Sequence, residues 1–154
     1  MAHPLPPRIF LDSSVLFAAA ASATGASRAI VLLAELGLIR LVVCRQVFEE
    51  VERNLQAKAP AALPFFQQLR SALPWEVVED PDPEQVAACS QVIAFKDAPI
   101  LAAAISARPH RLVTLDTRDF GCPEVAALAG CPIQTPAELL AEIRQALAEV
   151  VGNE

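Results

Sequence analysis

The chain has 154 residues, is 54% hydrophobic and carries a formal net charge of −6. That length and apolar content exclude a disordered chain and predict a single domain over residues 1–154 with its own core. The acidic balance speaks against a simple basic nucleic-acid binder, which needs Lys and Arg to neutralise phosphate, although two bound divalent cations would cancel about four negative charges locally.

The lead, Met1–Pro7, lacks the charged and then apolar plan of a signal peptide, and no apolar run reaches the length of a membrane span. The expected location is the cytoplasm. Residues 8–12 read as a buried strand, followed at once by a helix over 13–23 that Ser13 or Ser14 can cap. Gly25 interrupts the pattern, and Ser27 can cap a second helix over 28–36. Residues 39–44 form the second strand and 46–58 a helix that closes before Pro60. A helix over 61–73 has an apolar face of Leu63, Phe66, Leu69 and Leu73, and residues 75–79 form a short strand.

Pro83 can open a helix over 84–93. Asp97 can cap the next, which runs to about Ala107 with Pro99 tolerated in its first turn. Residues 111–115 form a strand, 120–131 are irregular or partly helical, 132–134 form a last strand, and 136–150 a closing helix. The strands at 8–12, 39–44 and 111–115 are mostly apolar, as when helices cover both sheet faces. The alternation predicts a three-layer α/β/α sandwich with a mainly parallel sheet, its core over about 8–134.

In such a sheet, ligands bind outside the carboxyl ends of the strands. Asp12 and Asp116 are expected there because each ends an apolar run, while Glu50 and Asp97 lie in or at the start of helices. Each has a plain structural role open to it: Asp12 and Asp97 as helix caps, Glu50 as part of a solvated face. On the helix over 46–58 the apolar face is Val47, Phe48, Val51 and Leu55, which turns Glu49 to solvent and leaves Glu50 and Glu52 on the two flanks. Asp119 either binds with Asp116 or shapes its loop, and Ser13 and Thr114 offer hydroxyls nearby. Two carboxylates ~5 Å apart repel by about 3 kcal/mol at an effective dielectric of ~20. A gathered set of four therefore predicts bound Mg²⁺ or Mn²⁺.

The four cysteines, Cys44, Cys89, Cys122 and Cys131, form no C-x-x-C pair and read as buried or incidental thiols. The two histidines, His3 and His110, precede strands and so are expected away from the crevice.

Four segments together resemble the PIN domain family: Leu11–Leu16, Val47–Val51, Lys96-Asp97 before an Ala-rich helix, and Leu112–Phe120. The resemblance implies a PIN-like fold and a ribonuclease that cuts single-stranded RNA with Mg²⁺ or Mn²⁺, similar to toxins of the VapC type. It implies Asp12, Glu50, Asp97 and Asp116 as the acids, with Asp119 a fifth ligand. It also implies a homodimer and, for many relatives, an antitoxin protein as partner. Arg8, Arg45, Arg53, Lys96 and Arg118 are candidates for RNA backbone contacts.

A receiver domain fits less well, since one acid rather than a pair ends the first strand and no Lys follows Lys96. An Asp-nucleophile phosphatase of the haloacid dehalogenase type needs a second Asp where Ser14 stands. The remaining rival is a catalytically silent PIN-like module that binds RNA or protein.

Overall fold

The computed structural model describes residues 4–153, so His3 lies outside the described residues. The elements, in chain order, are β1 (Arg8–Leu11), α1 (Ser13–Ala21), α2 (Ala26–Glu35), β2 (Arg40–Cys44), α3 (Arg45–Lys58), a 3-10 turn (Pro60–Ala62), α4 (Leu63–Ala72), β3 (Glu76–Val78), α5 (Pro83–Cys89), α6 (Ala98–Ala107), β4 (Arg111–Val113), α7 (Pro123–Ala129), β5 (Ile133–Gln134) and α8 (Pro136–Gly152). Among the described residues, the sheet has five strands in the order β3-β2-β1-β4-β5. Every pairing is parallel. This is the expected α/β sandwich.

The apolar strands explain the layering. Ile9, Phe10, Leu11, Val42, Val43, Leu112 and Val113 are all buried, so both sheet faces need cover. One group of helices has α1 against α2, α3 and α4, with α8 on α2; another has α5 and α7 against α6. Helix α6 is buried from Ile100 to Ala104, and its alanines allow close approach to β2. The expected face of α4 is present, with Phe66, Leu69 and Leu73 buried. Cys44 and Cys89 are buried thiols, while Cys122 and Cys131 are half-buried. No single helix among the described residues is long and apolar enough to cross a membrane.

Several boundaries differ from expectation for local reasons. Helix α2 begins at Ala26 behind Gly25, whose φ of 102° suits glycine; Ser27 lies inside the helix and is buried instead of capping it. Helix α5 stops at Cys89, and turns replace its expected last residues. Strand β4 ends at Val113, so Asp116 belongs to the following loop and Thr114 is the polar residue at the strand end. Helix α6 ends at Arg108 in the left-handed region (φ 50°), one residue before Pro109.

Strand order decides where a crevice opens. The chain winds from β1 out to β3, then returns to place β4 on the other side of β1. That reversal lies between β1 and β4, and their carboxyl ends flank the expected ligand position.

Candidate metal centre at the sheet switch point

Register brings the first two polar groups together. Leu11 pairs with Val113, so Asp12 and Thr114 emerge level with each other, and the backbone N–H of Asp12 donates to the Val113 carbonyl at 3.0 Å. Thr114 Oγ1 donates to Asp12 Oδ2 at 2.8 Å and accepts from the Asp116 N–H at 2.9 Å. Ser14 Oγ donates to the same Asp12 Oδ2 at 2.7 Å and accepts from the Leu115 N–H at 3.0 Å. Two hydroxyls thus occupy Oδ2, while the Ser13 hydroxyl approaches Oδ1 at 3.5 Å. One carboxylate oxygen of Asp12 remains available to a ligand.

This network overturns the expected caps. Asp12 occupies the N-cap position of α1 but makes no side-chain cap bond, and Ser13 and Ser14 stand inside the helix with their hydroxyls turned to carboxylates. Ser14 was legible only as a possible cap. Its contribution depends on the β1–β4 register, which brings the Leu115 N–H within reach.

Glu50 reaches the cleft from α3. Its Oε2 accepts from Ser13 Oγ at 2.8 Å and its Oε1 from Gln46 Nε2 at 3.3 Å. Glu49 instead pairs with Arg45 on the outside, and Glu52 faces Arg70 on α4 at 3.9 Å. The structure therefore brings Glu50, and not Glu52, beside Asp12.

Asp97 stands at the start of α6. It too occupies an N-cap position without making the cap bond, because its backbone is in the right-handed helical region (φ −95°, ψ −15°). The residue is 8% exposed. Its Oδ2 is buried with no hydrogen-bond partner. Asp97, Asp116 and Asp119 each bring a carboxylate oxygen within 4.8 Å of the others. The Asp119 N–H donates to Asp116 Oδ1 at 3.0 Å, so Asp119 both shapes the loop and joins the cluster.

An open cleft of about 540 Å³ gathers Asp12, Glu50, Asp97 and Asp116 with Ser13 and Ser14. Arg53, Lys58 and Lys96 line its walls. Of the other cations proposed from sequence, Arg8 is misplaced: it binds Glu76 and the carbonyls of Ala107 and Arg108, at the opposite end of the sheet. Arg45 is engaged by Glu49 and Asp80. Arg118 is exposed on the loop after β4. His110 accepts from the Arg8 N–H through Nδ1, also away from the cleft, as expected.

The electrostatics match this crowding. Burial, opposed by the nearby Lys96 charge and reinforced by Asp12, Asp116 and Asp119, pushes the Asp97 carboxyl up to about 6. Burial also raises the Asp12 carboxyl, against the hydroxyl bonds from Ser14 and Thr114, with the Glu50 charge adding to the rise. Without a cation, Asp12 and Asp97 resist ionisation.

The sequence profile of the PIN domain matches residues 8–118. The chain belongs to the PIN domain family, whose members are generally nucleases. Among solved structures, it is similar to VapBC2 from Rickettsia felis, solved bound to a DNA fragment from its promoter. The two share 14% identity at a TM-score of 0.62, over 83% of this chain and 98% of the other. PAE2754 from Pyrobaculum aerophilum is 19% identical at a TM-score of 0.60, over 90% of each chain. No curated protein sequence matches the chain.

Proposed function

We propose that the chain is a Mg²⁺- or Mn²⁺-dependent endoribonuclease that cleaves phosphodiester bonds in single-stranded RNA. The observation that carries this reading is the buried, unpartnered Oδ2 of Asp97 beside the carboxylates of Asp116 and Asp119. An ionised oxygen left unpaired in such a place is costly unless a cation meets it. The donors are hard oxygens with no thiolate or imidazole among them, which suits Mg²⁺ or Mn²⁺.

Asp12, Glu50, Asp97 and Asp116 would hold the metal, with Asp119 as a further ligand. When bound, such an ion supplies Lewis acidity and charge neutralisation for attack of water on phosphorus. Ser14 and Thr114 fix the Asp12 carboxylate, and Ser13 fixes Glu50, so that the acids are oriented before substrate arrives. Arg53, Lys58 and Lys96 offer charge to the RNA backbone.

The family and the VapBC2 likeness support a further reading, in which this single-domain chain is a cytoplasmic toxin, dimeric and held by an antitoxin. A small protein encoded by an overlapping neighbouring gene would supply that antitoxin. The nuclease itself is tested with single-stranded oligoribonucleotides and Mn²⁺, with chelator as control. Cleavage lost in Asp12→Asn and Asp97→Asn, with folding intact, supports the enzyme. Metal-independent RNA binding without cleavage by the parent would favour the silent binding module.

A further inference from the structure

We propose that Phe95 is a stacking platform for an unpaired nucleobase beside the phosphate to be cut. This rests on the nuclease reading above and adds the group that positions the substrate. Phe95 is 84% exposed, the largest exposure of any aromatic among the exposed apolar residues. Its backbone is nevertheless held. The Asp97 and Ala98 N–H groups both donate to the Ala94 carbonyl, at 2.9 and 3.1 Å, which closes a turn around Phe95 and Lys96. Gln46 Nε2 reaches the Lys96 carbonyl at 3.5 Å and also donates to Glu50, tying this turn to α3.

Lys96 and Asp97 line the acidic cleft, and Phe95 precedes them directly in the chain. Leu115, 46% exposed and next to Asp116, provides an apolar surface in the same cleft. An exposed aromatic side chain thus stands on a backbone-held turn whose next two residues, Lys96 and Asp97, line the acidic cleft.

A ligand that suits all three features carries anionic phosphate and an exposed flat face. A single-stranded nucleic acid has both, whereas a duplex hides its base faces in the stack. Stacking on phenyl is tolerant of base identity, because every base has a π-face. Phe95 therefore favours single strands over duplexes without selecting a particular base at that position.

The test uses single-stranded oligoribonucleotides carrying 2-aminopurine at successive positions, with Ca²⁺ neutralising the carboxylates. The parent protein quenches the fluorescent base at one or two neighbouring positions. Phe95→Ala removes that quenching and weakens binding roughly 5- to 150-fold. Phe95→Tyr keeps both, while Phe95→Leu, apolar but without a ring, loses the quenching. In cleavage, Phe95→Ala raises KM with kcat little changed, as expected for lost uniform binding. Unchanged melting temperatures show that the fold is intact.

If the parent binds and cuts RNA while Phe95→Ala quenches and binds equally well, the stacking role is overturned and the nuclease reading stands. If Phe95→Ala leaves RNA binding intact but changes the sedimentation of the protein alone, the ring serves a protein contact and the proposal fails. A parent protein that neither binds nor cuts single strands removes the nuclease reading and this proposal together.

Discussion

Asp97 is the residue at which burial and charge meet most directly. Its carboxyl titrates at about 6 in the folded chain against 3.8 as the unperturbed value. With a raised folded pKa, the stability contribution is full below about 3.8 and is lost as pH rises through about 6. In chelator at pH 7.5, Asp97→Asn should therefore melt above the parent, and this gap should narrow towards pH 4.5. That rise sets a ceiling of about 3 kcal/mol, reduced by water at the cleft mouth. Thermal melts of both proteins across that range check the sign, and a gap that widens on acidification refutes it. Thr114 makes a second point at this scale. Thr114→Val keeps the shape but removes the donor to Asp12 and the acceptor of the Asp116 N–H. Loss of about 1–3 kcal/mol is expected, together with a weaker response to Mn²⁺. Thr114→Ser should restore both, which denaturant titration with and without Mn²⁺ can measure.

Among the elements, the turn after β4 carries the greatest load, because it presents Asp116 and Asp119 together. It is closed by the Phe120 N–H bonding the Asp116 carbonyl at 3.1 Å and is anchored by the buried Phe120 ring. A Cβ placed on Gly121 would lie 2.1 Å from the Thr117 carbonyl oxygen, so the backbone must move. Gly121→Ala should cost about 1–3 kcal/mol and weaken Mn²⁺ binding by displacing both acids. A calorimetric titration showing parent-like Mn²⁺ affinity in this variant would mean that the turn does not set the site.

For the whole molecule, acids converge from the end of β1, α3, the start of α6 and the loop after β4. On the proposed function, divalent ions would stabilise the chain to the extent that the unfolded form cannot gather those carboxylates. At about 100 times its dissociation constant, Mn²⁺ should add about 2.7 kcal/mol. For a chain of this size that corresponds to a rise in Tm of about 5–10 °C. The rise should largely disappear in Asp116→Asn, as differential scanning fluorimetry would show.

The parallel architecture was legible in the sequence, because buried strands and helix faces leave local patterns of apolar residues, and the candidate acids could be named from their places at strand and helix ends and from the family resemblance. The helical face of α3 put Glu49 in solvent, and its two flanks kept Glu50 and Glu52 both open. The family resemblance implied Glu50, and the tertiary structure shows why the two differ, since Ser13 of α1 meets Glu50 while Arg70 of α4 meets Glu52. The tertiary structure also moved Arg8 to the far end of the sheet, turned Ser14 from a cap into a support for Asp12, and left Asp97 Oδ2 without a partner. Side-chain period reports which way a residue faces along its own element. Which groups it meets depends on strand order and register, and those are set by contacts between residues distant in the chain.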